Sequence, residues 1–420
     1  MSQTVQGTKV EESSATAAAS SAQGEFPAAG VLTGNRFSFQ AGDAWKGAPE
    51  APGWWWEVRF PEERQIGAIL QVLGDDELCF RNAPREYVWS ISTDGVTWRE
   101  LLETSVSKEK RAYRLHRLHE PVRARFLRLT VYAAQGAYPT LRAVEVYPEP
   151  DAVVPFPEWA VIVSTTTRYE PLGAGRDFLP LARETAGGAE LQAQNIWLGD
   201  LAEVFLAVEP HPLCVFLSGN FRDWCQVERE PWRGVQNVVR EGNIPMWAAC
   251  GGAQGLALLA EYGVDQEWDC PHCRDPHHPK SPIYGHIGHA ESEQGEQLPC
   301  GDYSACLAER GPNQIRPIAR DPVFQGLPEE FTLIESHCGQ IEWAPRGWQM
   351  VAVGGEGAKT RTQCLRVEDR YIYAAQFHIE MAGTPENSRR VMENFLSVAR
   401  EWGGYRPGRA LVEAPSPLGL

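Results

Sequence analysis

The stretch that decides the fold of the larger part of this chain is Met246-Trp-Ala-Ala-Cys-Gly-Gly-Ala-Gln-Gly-Leu-Ala-Leu-Leu259. An apolar run ends at a cysteine, two glycines follow, and a segment rich in alanine and leucine comes next. This order predicts a strand, a sharp turn and a helix, with Cys250 at the turn. Small neighbours are needed there because bulky side chains would clash where the backbone reverses.

Cys250 in such a turn is a candidate nucleophile. The first N–H groups of the following helix, and the helix dipole, would face the sulfur and favour the thiolate, which is the reactive form. The alternative interpretation is that Cys250 is a small buried hydrophobic residue between a strand and a helix.

The composition excludes several classes of protein. A net charge of −16 over 420 residues argues against nucleic acid or an anionic membrane surface as the main partner. No apolar run is long enough to span a bilayer. Residues 1–26 are polar and lack an apolar signal core, so they predict a disordered tail. Ten scattered cysteines without an export signal predict reduced thiols and a cytoplasmic location.

Residues 27–150 predict an antiparallel β-sandwich. Short segments alternate bulky apolar and polar residues, turn signals such as Asp94-Gly95 separate them, and helical periodicity is absent. The predicted strands are Trp54–Phe60, Ile66–Val72, Tyr87–Ser92, Val96–Leu101, Arg125–Tyr132 and Leu141–Tyr147.

The order of these strands resembles the discoidin family, also called F5/8 type C, of galactose-binding-like sandwiches. The resemblance is carried by Trp54-Trp-Trp-Glu-Val-Arg-Phe60, by the hairpin Tyr87–Trp98, and by the strands from Ala124 and Leu141. It implies a module whose loops at one end bind a glycan, a lipid or a protein surface, and Trp45 is one aromatic residue available there. A family name alone does not identify the ligand.

A proline-rich linker, residues 151–158, separates this module from a region of different pattern. From residue 159 to 404, buried apolar strands such as Trp159–Ser164 and Leu213–Ser218 alternate with helical segments such as Phe178–Thr185 and Pro231–Glu241. The alternation predicts a doubly wound α/β domain with a parallel sheet and a ligand crevice at the carboxyl ends of its strands. Residues 405–420 form the C-terminal tail of this prediction.

Three of these carboxyl ends carry reactive or polar groups. Beside Cys250, the strand Tyr371–Phe377 runs into His378 and Glu380, which lie two residues apart and can point the same way. Glu380 can then orient His378, which would take the proton of Cys250. The strand that ends at Gly219-Asn220 can supply N–H groups which, with that of Gly251, would form an oxyanion hole.

Residues 159 to about 403 resemble a class I glutamine amidotransferase domain. Cys250-Gly-Gly-Ala-Gln254-Gly, Phe377-His378-Ile-Glu380 and Leu217-Ser-Gly219-Asn220 are similar to three motifs of that family, in the family's order. The resemblance implies that Cys250 attacks a γ-glutamyl amide, with His378 as base and then acid and Glu380 as its orienting partner. It also implies that three further residues hold the substrate: Gln254, Ser336 and His337.

The chain departs from the family pattern in regions that would recognise a substrate. Asn220 and Phe221 replace the second glycine and the proline of the usual oxyanion turn, and we expect Asn220 to allow the turn because asparagine tolerates left-handed backbone. Ile379 replaces a proline. After His337 the family often has Gly-Asp, whereas here Cys338-Gly339-Gln340 follows.

Two functions from different classes remain open. The first is a cysteine-dependent amidohydrolase of the glutamine amidotransferase type, which needs no cofactor for catalysis and cleaves a γ-glutamyl small molecule. Its ammonia would go to a separate ammonia-accepting enzyme, or the domain would hydrolyse a γ-glutamyl compound directly. The second is a catalytically silent binding or scaffold protein that keeps the fold. The intact Cys250, His378 and Glu380 favour the enzyme.

A second cluster predicts a structural zinc site at Cys270, Cys273, His286 and His289. A Cys-x-x-Cys pair followed by two histidines three residues apart can complete a tetrahedral set of ligands. A metal would help to order a segment that has little core of its own. The alternative is a substrate-covering loop with unligated thiols.

Overall fold

The structure is a computed structural model. It describes residues 14–37, 40–73, 82–109, 113–165, 178–185, 187–188, 190–201, 208–209, 211–220, 222–241, 244–268, 283–287, 306–402 and 412–413. These residues form two compact units. The first contains the described residues up to 156 with 208–209, 211 and 412–413, and the second contains residues 157–201 and 212–402. In the described part of the chain, no helix is long and apolar enough to cross a membrane.

The first unit is built on seven antiparallel strands. Their order across the sheet is β2-β7-β3-β6-β4-β5, with β1 paired to β3, and their bounds are β1 Thr16–Ala19, β2 Trp45–Lys46, β3 Trp54–Leu73, β4 Pro84–Ser92, β5 Arg99–Val106, β6 Tyr113–Ala134 and β7 Thr140–Tyr147.

Two predictions for this unit are refined by the strand bounds. The separately predicted strands Trp54–Phe60 and Ile66–Val72 belong to the single strand β3, whose pairing with β6 shifts register twice, as expected where bulges let a long strand bend. Strand β1 lies within residues 1–26, where disorder was predicted. Its alanines find partners because the edge of β3 at Trp56–Arg59 offers unpaired backbone groups.

Tryptophan supplies much of the core of the sandwich. Trp56 and Trp89 are fully buried and meet edge to face with ring centroids 6.4 Å apart. The indole of Trp89 donates to Gln71 Oε1 at 2.7 Å, which satisfies its buried N–H. Trp45 is also fully buried and donates to the carbonyl of Ser21, so it is a core residue and not a ligand contact.

The second unit contains a nine-stranded mixed sheet in the order β15-β14-β17-β18-β19-β12-β11-β8-β9. Its strands are β8 Trp159–Ser164, β9 Gln192–Trp197, β11 Val215–Leu217, β12 Met246–Ala249, β14 Glu309–Pro317, β15 Phe331–His337, β17 Trp348–Gly354, β18 Thr362–Val367 and β19 Ile372–Ala375. A short antiparallel pair, β13 Tyr284–His286 with β16 Gly339–Ile341, also belongs to this unit. A second short pair, β10 Val208–Glu209 with β20 Val412–Glu413, belongs to the first unit.

The α/β class predicted for this unit is confirmed, but the sheet is only partly parallel. Strands β19, β12, β11, β8 and β9 are parallel neighbours, whereas β15, β14, β17 and β18 continue the sheet in antiparallel pairs. The physical reason is that no described α-helix lies between these four strands along the chain, and antiparallel strands need only short connections.

Within the described residues, the second unit contains four α-helices: α1 Phe178–Arg183, α2 Arg233–Glu241, α3 Gly251–Tyr262 and α4 Pro385–Trp402. Phe395 on α4 contacts the rings of Phe216 and Trp247, each with centroids 5.6 Å apart, and so packs this helix on the parallel strands. Gly255 on α3 leaves room for Trp224 and Trp232, since a methyl group there would lie 2.6 and 2.3 Å from their rings. These contacts hold β12 and α3, and therefore the turn between them, in a fixed position.

Candidate active site

Cys250 lies in the turn between β12 and α3 with a strained backbone. Its φ and ψ are 49° and −114°, and Asp369 is the only other non-glycine residue with positive φ in the described ranges. Such a conformation costs on the order of 1–3 kcal/mol and is typical of functional turns. Gly251 and Gly252 permit the turn, because methyl groups there would lie 2.2 Å from the nitrogen of Asn220 and 2.4 Å from the carbonyl of Ser218.

Because of this crowding, alanine substitutions at two glycines of the site are expected to differ in their effect on stability. Gly251→Ala is expected to lower the free energy of unfolding by about 1–3 kcal/mol, because the added methyl group meets backbone that cannot move aside. Gly219→Ala is the matched control, since its methyl group would have its nearest neighbours at 3.9 Å. Urea unfolding of both variants measures the difference, and equal destabilisation would contradict this account of the turn.

His378 and Glu380 follow β19, the parallel neighbour of β12. The ends of the two strands are in register at Ala249 and Ala375, and the Cys250 N–H donates to the Ala375 carbonyl at 2.7 Å. His378 Nδ1 lies 2.6 Å from Glu380 Oε1, and both side chains are buried. The Glu380 carboxylate therefore fixes the orientation of the imidazole, with Nδ1 facing the carboxylate and Nε2 left for other partners.

The charges around His378 favour its protonated form. Burial opposes a charged ring, but the Glu380 carboxylate and the Cys250 sulfur outweigh it and hold the pKa of His378 well above its ordinary value. Nε2 has no hydrogen-bond partner of its own among the described side chains. It is thus the nitrogen left to exchange a proton with Cys250.

The sulfur of Cys250 has two further neighbours. Gln376 Nε2 donates to Sγ at 3.8 Å, and Sγ lies 3.7 Å from the Ser336 carbonyl. Gln376 is fully buried and was not singled out from the sequence. The signal that could have found it is a lone amide inside the apolar run Tyr371–Phe377, because a buried polar group needs a partner.

The residues predicted for the oxyanion hole are brought together. A methyl group on Gly251 would lie 2.2 Å from Asn220 N, so these two residues are close neighbours. A methyl group on Gly219 would lie 3.9 Å from both Cys250 Cβ and His378 Cε1. None of the three N–H groups donates to an acceptor among the described residues. Asn220 is not among the positive-φ residues, so its part of the turn does not use the left-handed backbone that asparagine would tolerate. Its side chain instead accepts from Arg222 N and donates to Arg222 O.

Gln254, Ser336 and His337 also line the cavity, but two of these side chains are held by the protein itself. The Gln254 amide donates to Gly339 O at 2.8 Å and to Gln376 Oε1 at 3.2 Å. His337 lies between Gly339 O at 2.8 Å and Glu335 Oε2 at 2.9 Å. Burial raises the pKa of the Glu335 carboxyl, although His337 opposes the rise. These two side chains therefore brace the strand segment that forms the cavity wall.

The cavity around these groups has a volume of about 410 Å³. This is the size of a site for a small molecule. Its lining includes Cys250, His378 and Gly219, together with two arginines that sequence reasoning did not select, Arg222 and Arg310. The site can thus offer a nucleophile, a proton carrier, backbone donors and two cationic groups to one ligand.

The predicted zinc ligands are only partly within the described chain. Cys270, Cys273 and His289 lie outside the described residues. His286 is described, and the side chains nearest to it in a metal-binding arrangement are Cys306 and Cys338. Burial raises the pKa of the Cys338 thiol to about 12, and the neighbouring Cys306 sulfur adds to this rise.

Two separate parts of the chain match two different protein families. Residues 15–146 match the family model of the F5/8 type C domain, and residues 205–398 match that of glutamine amidotransferase class-I. Over 96 residues the chain is 31% identical to the glutamine-hydrolyzing GMP synthase of Thermosipho africanus. This match covers 22% of the chain and 18% of the Thermosipho protein. Over 114 residues it is 27% identical to one subunit of the glutamine-hydrolyzing GMP synthase of Methanococcus aeolicus, covering 27% of this chain and 50% of that protein.

The chain therefore spans half, or less, of the length of these curated relatives. Among solved structures, a protein from Thermoplasma acidophilum described as one subunit of a GMP synthase covers 59% of this chain and 96% of its own, with 18% identity and a TM-score of 0.40. The order of the two domain types predicted from the sequence is confirmed. The chain joins an F5/8 type C β-sandwich to a domain of the class I glutamine amidotransferase family.

Proposed function

We propose that this protein is a cysteine-dependent glutamine amidotransferase that cleaves glutamine or another γ-glutamyl amide through a thioester on Cys250. The observation that carries the proposal is the convergence of Cys250, His378 and Glu380 at the ends of two adjacent parallel strands. The alternative, a silent scaffold, is not favoured, because the amidotransferase family model matches residues 205–398, a range that contains all three groups.

In the first half of the reaction, Cys250 Sγ attacks the γ-carbonyl carbon and its proton passes to His378 Nε2. The negative charge that develops on the carbonyl oxygen is met by the N–H groups of Gly251 and the Gly219-Asn220 turn. His378 then gives its proton to the leaving nitrogen. The C–N bond breaks, ammonia or an amine departs, and a thioester remains on Cys250.

In the second half, water attacks the thioester and His378 takes one of its protons. Collapse of the tetrahedral intermediate breaks the C–S bond and releases the γ-carboxylate product, and the proton returns to the sulfur. Glu380 keeps the imidazole oriented through both halves and stabilises its charged form. No step of this sequence requires a cofactor.

The arginines of the cavity support a substrate that carries a carboxylate. Arg222 and Arg310 are exposed residues in the cavity lining, and a guanidinium pairs well with the α-carboxylate of a γ-glutamyl group. The family's acidic residue after His337 is replaced here by Cys338 and Gly339, so recognition of the α-amine is the weaker part of the site. We therefore expect the carboxylate to contribute more to binding than the amine.

The remaining parts of the proposal concern partners. The ammonia would pass to a separate ammonia-accepting enzyme. The similarity of this chain to one subunit of a glutamine-hydrolyzing GMP synthase supports this part of the proposal. The β-sandwich would dock the enzyme to a glycan or a protein. A reducing cytoplasmic location would keep the Cys250 thiol available for catalysis.

The test is a substrate panel with the full chain. We expect release of ammonia from glutamine or of amine from γ-glutamyl amides. We also expect a larger loss of kcat/KM for 4-aminobutanamide, which lacks the α-carboxylate, than for glutaric acid monoamide, which lacks the α-amine. Coupled detection of ammonia and mass spectrometry of the products measure both. No turnover of any γ-glutamyl compound would refute the proposed function, and the opposite order would refute the role given to the arginines.

A further inference from the structure

A second cluster of reactive side chains lies in the wall of the same cavity and takes no part in amide cleavage. It consists of His286, Cys306 and Cys338, whose potential ligand atoms all lie within 4.8 Å of one another. Cys306 and Cys338 line the cavity together with Cys250. We propose that these three residues form a zinc site, distinct from the set Cys270, Cys273, His286 and His289 expected from sequence spacing.

The backbone holds two of the three ligands in place before any metal binds. Strands β13 and β16 pair with His286 opposite Gly339, and the Ile287 N–H donates to the Cys338 carbonyl at 2.9 Å. His286 and Cys338 are therefore fixed on adjacent backbones. Ligands on paired strands lose little conformational entropy when they bind a metal, which is what a preorganised site requires.

The distances fit a tetrahedral zinc ion. Zn–S bonds of about 2.3 Å and Zn–N bonds of about 2.0 Å separate any two ligand atoms by about 3.5–3.8 Å. Cys306 Sγ lies 3.7 Å from His286 Nδ1, close to that edge length. The third sulfur, of Cys338, completes a triangle whose sides do not exceed 4.8 Å, so a small contraction brings all three to bonding distance.

The other nitrogen of His286 faces a carboxylate. His286 Nε2 lies 4.0 Å from Asp223 Oδ1, and both side chains are almost completely buried, at 2% and 1% exposed. Histidines that bind zinc through one nitrogen characteristically direct the other nitrogen to a carboxylate, which fixes the tautomer and strengthens the metal bond. Asp223 is thus a positioning residue for the ligand His286, and its negative charge also complements the cation.

The chemical softness of the ligand atoms determines which metal the site favours. Two thiolates and one imidazole favour zinc over magnesium or calcium, which prefer oxygen ligands. Three described protein ligands leave a fourth position, and because two of the ligands line the cavity, that position is accessible to water or to a carboxylate oxygen of a bound molecule. The site would then order the cavity wall.

The test measures metal and does not depend on turnover, so it can fail separately from the proposed function. The full chain, purified without chelator and supplied with zinc, is expected to hold about one zinc per chain. Cys306→Ser and Cys338→Ser are each expected to lower the zinc affinity at least about tenfold, and Asp223→Asn by about 10- to 100-fold. Cys225→Ser, which changes an exposed cysteine outside the cluster, is the matched control and is expected to retain full affinity.

Two measurements on the unmutated chain guard against variants that fail to fold. With cobalt in place of zinc, thiolate-to-cobalt charge-transfer absorption is expected, and zinc should protect Cys306 and Cys338 from alkylation as mapped by mass spectrometry. Loss of zinc in Cys273→Ser but not in Cys338→Ser would overturn the proposal in favour of the other ligand set. Absence of zinc binding by the unmutated chain, or a disulfide between Cys306 and Cys338 that persists under reducing conditions, would also overturn it.

Discussion

Replacing Cys250 with alanine is expected to lower amide hydrolysis by at least about 10⁴-fold, to the background rate. The reaction needs a covalent bond to the sulfur, and no other described thiol combines a position beside His378 with backbone donors. The fold should survive, because the hydrogen bonds of Sγ to Ser336 and Gln376 are long, at 3.7 and 3.8 Å, and alanine keeps the Cβ that the strained turn already accommodates. Ammonia release and thermal unfolding of Cys250→Ala, compared with the unmutated chain, measure the two effects.

Cys225→Ala is the control for this substitution, since Cys225 is an exposed cysteine that does not line the cavity. It should keep full activity. Substantial turnover by Cys250→Ala would show that another group performs the attack. An intermediate that carries the γ-glutamyl group on Cys250, trapped by acid quench and located by mass spectrometry, would support the thioester directly.

The core of the site could be predicted because it depends on short-range rules. Strand, glycine turn and helix around Cys250 are local, and the two-residue spacing of His378 and Glu380 places both side chains on one face. Parallel strands bring their carboxyl ends to one edge of a sheet, so the meeting of these groups follows from the fold class. The pairing of β12 with β19 agrees with that reasoning.

What could not be predicted depends on contacts between distant segments. His286 lies beside Cys338 because β13 pairs with β16, a pairing across more than fifty residues that no spacing rule encodes. Cys306 joins them from a third segment. The Cys-x-x-Cys motif at Cys270 is visible in the sequence because its two cysteines are only three residues apart. Antiparallel pairing of β17 and β18 was missed for similar reasons, because an apolar strand looks the same in either direction.

The orientation of a polar side chain in the core could not be predicted from the sequence either. Gln254 resembles a substrate contact in the sequence, yet its amide bonds with Gly339 and Gln376 and accepts from the indole of Trp224. Whether a buried amide faces a ligand or the protein is decided by its partners, and these come from three separate segments. Sequence reasoning could name the residue but not the direction of its side chain.

Replacing Glu380 with glutamine is expected to lower kcat by about 10²- to 10⁴-fold without unfolding the domain. Glutamine has the same shape, but it carries no charge and can present a donor where His378 Nδ1–H needs an acceptor at 2.6 Å. The sign of the pKa change follows from the charges. The carboxylate stabilises the imidazolium, so its removal lowers the pKa of His378, which in the unmutated protein lies well above the ordinary value.

His378 in Glu380→Gln should therefore lose its proton at a lower pH than in the unmutated chain. Titration of ¹³C-labelled histidine by NMR measures this pKa. Glu356→Gln removes an exposed charge elsewhere and is expected to leave the pKa of His378 unchanged. An unchanged or raised pKa of His378 in Glu380→Gln would mean that Glu380 serves only to pack the loop, because a carboxylate that stabilises the imidazolium cannot be removed without lowering that pKa.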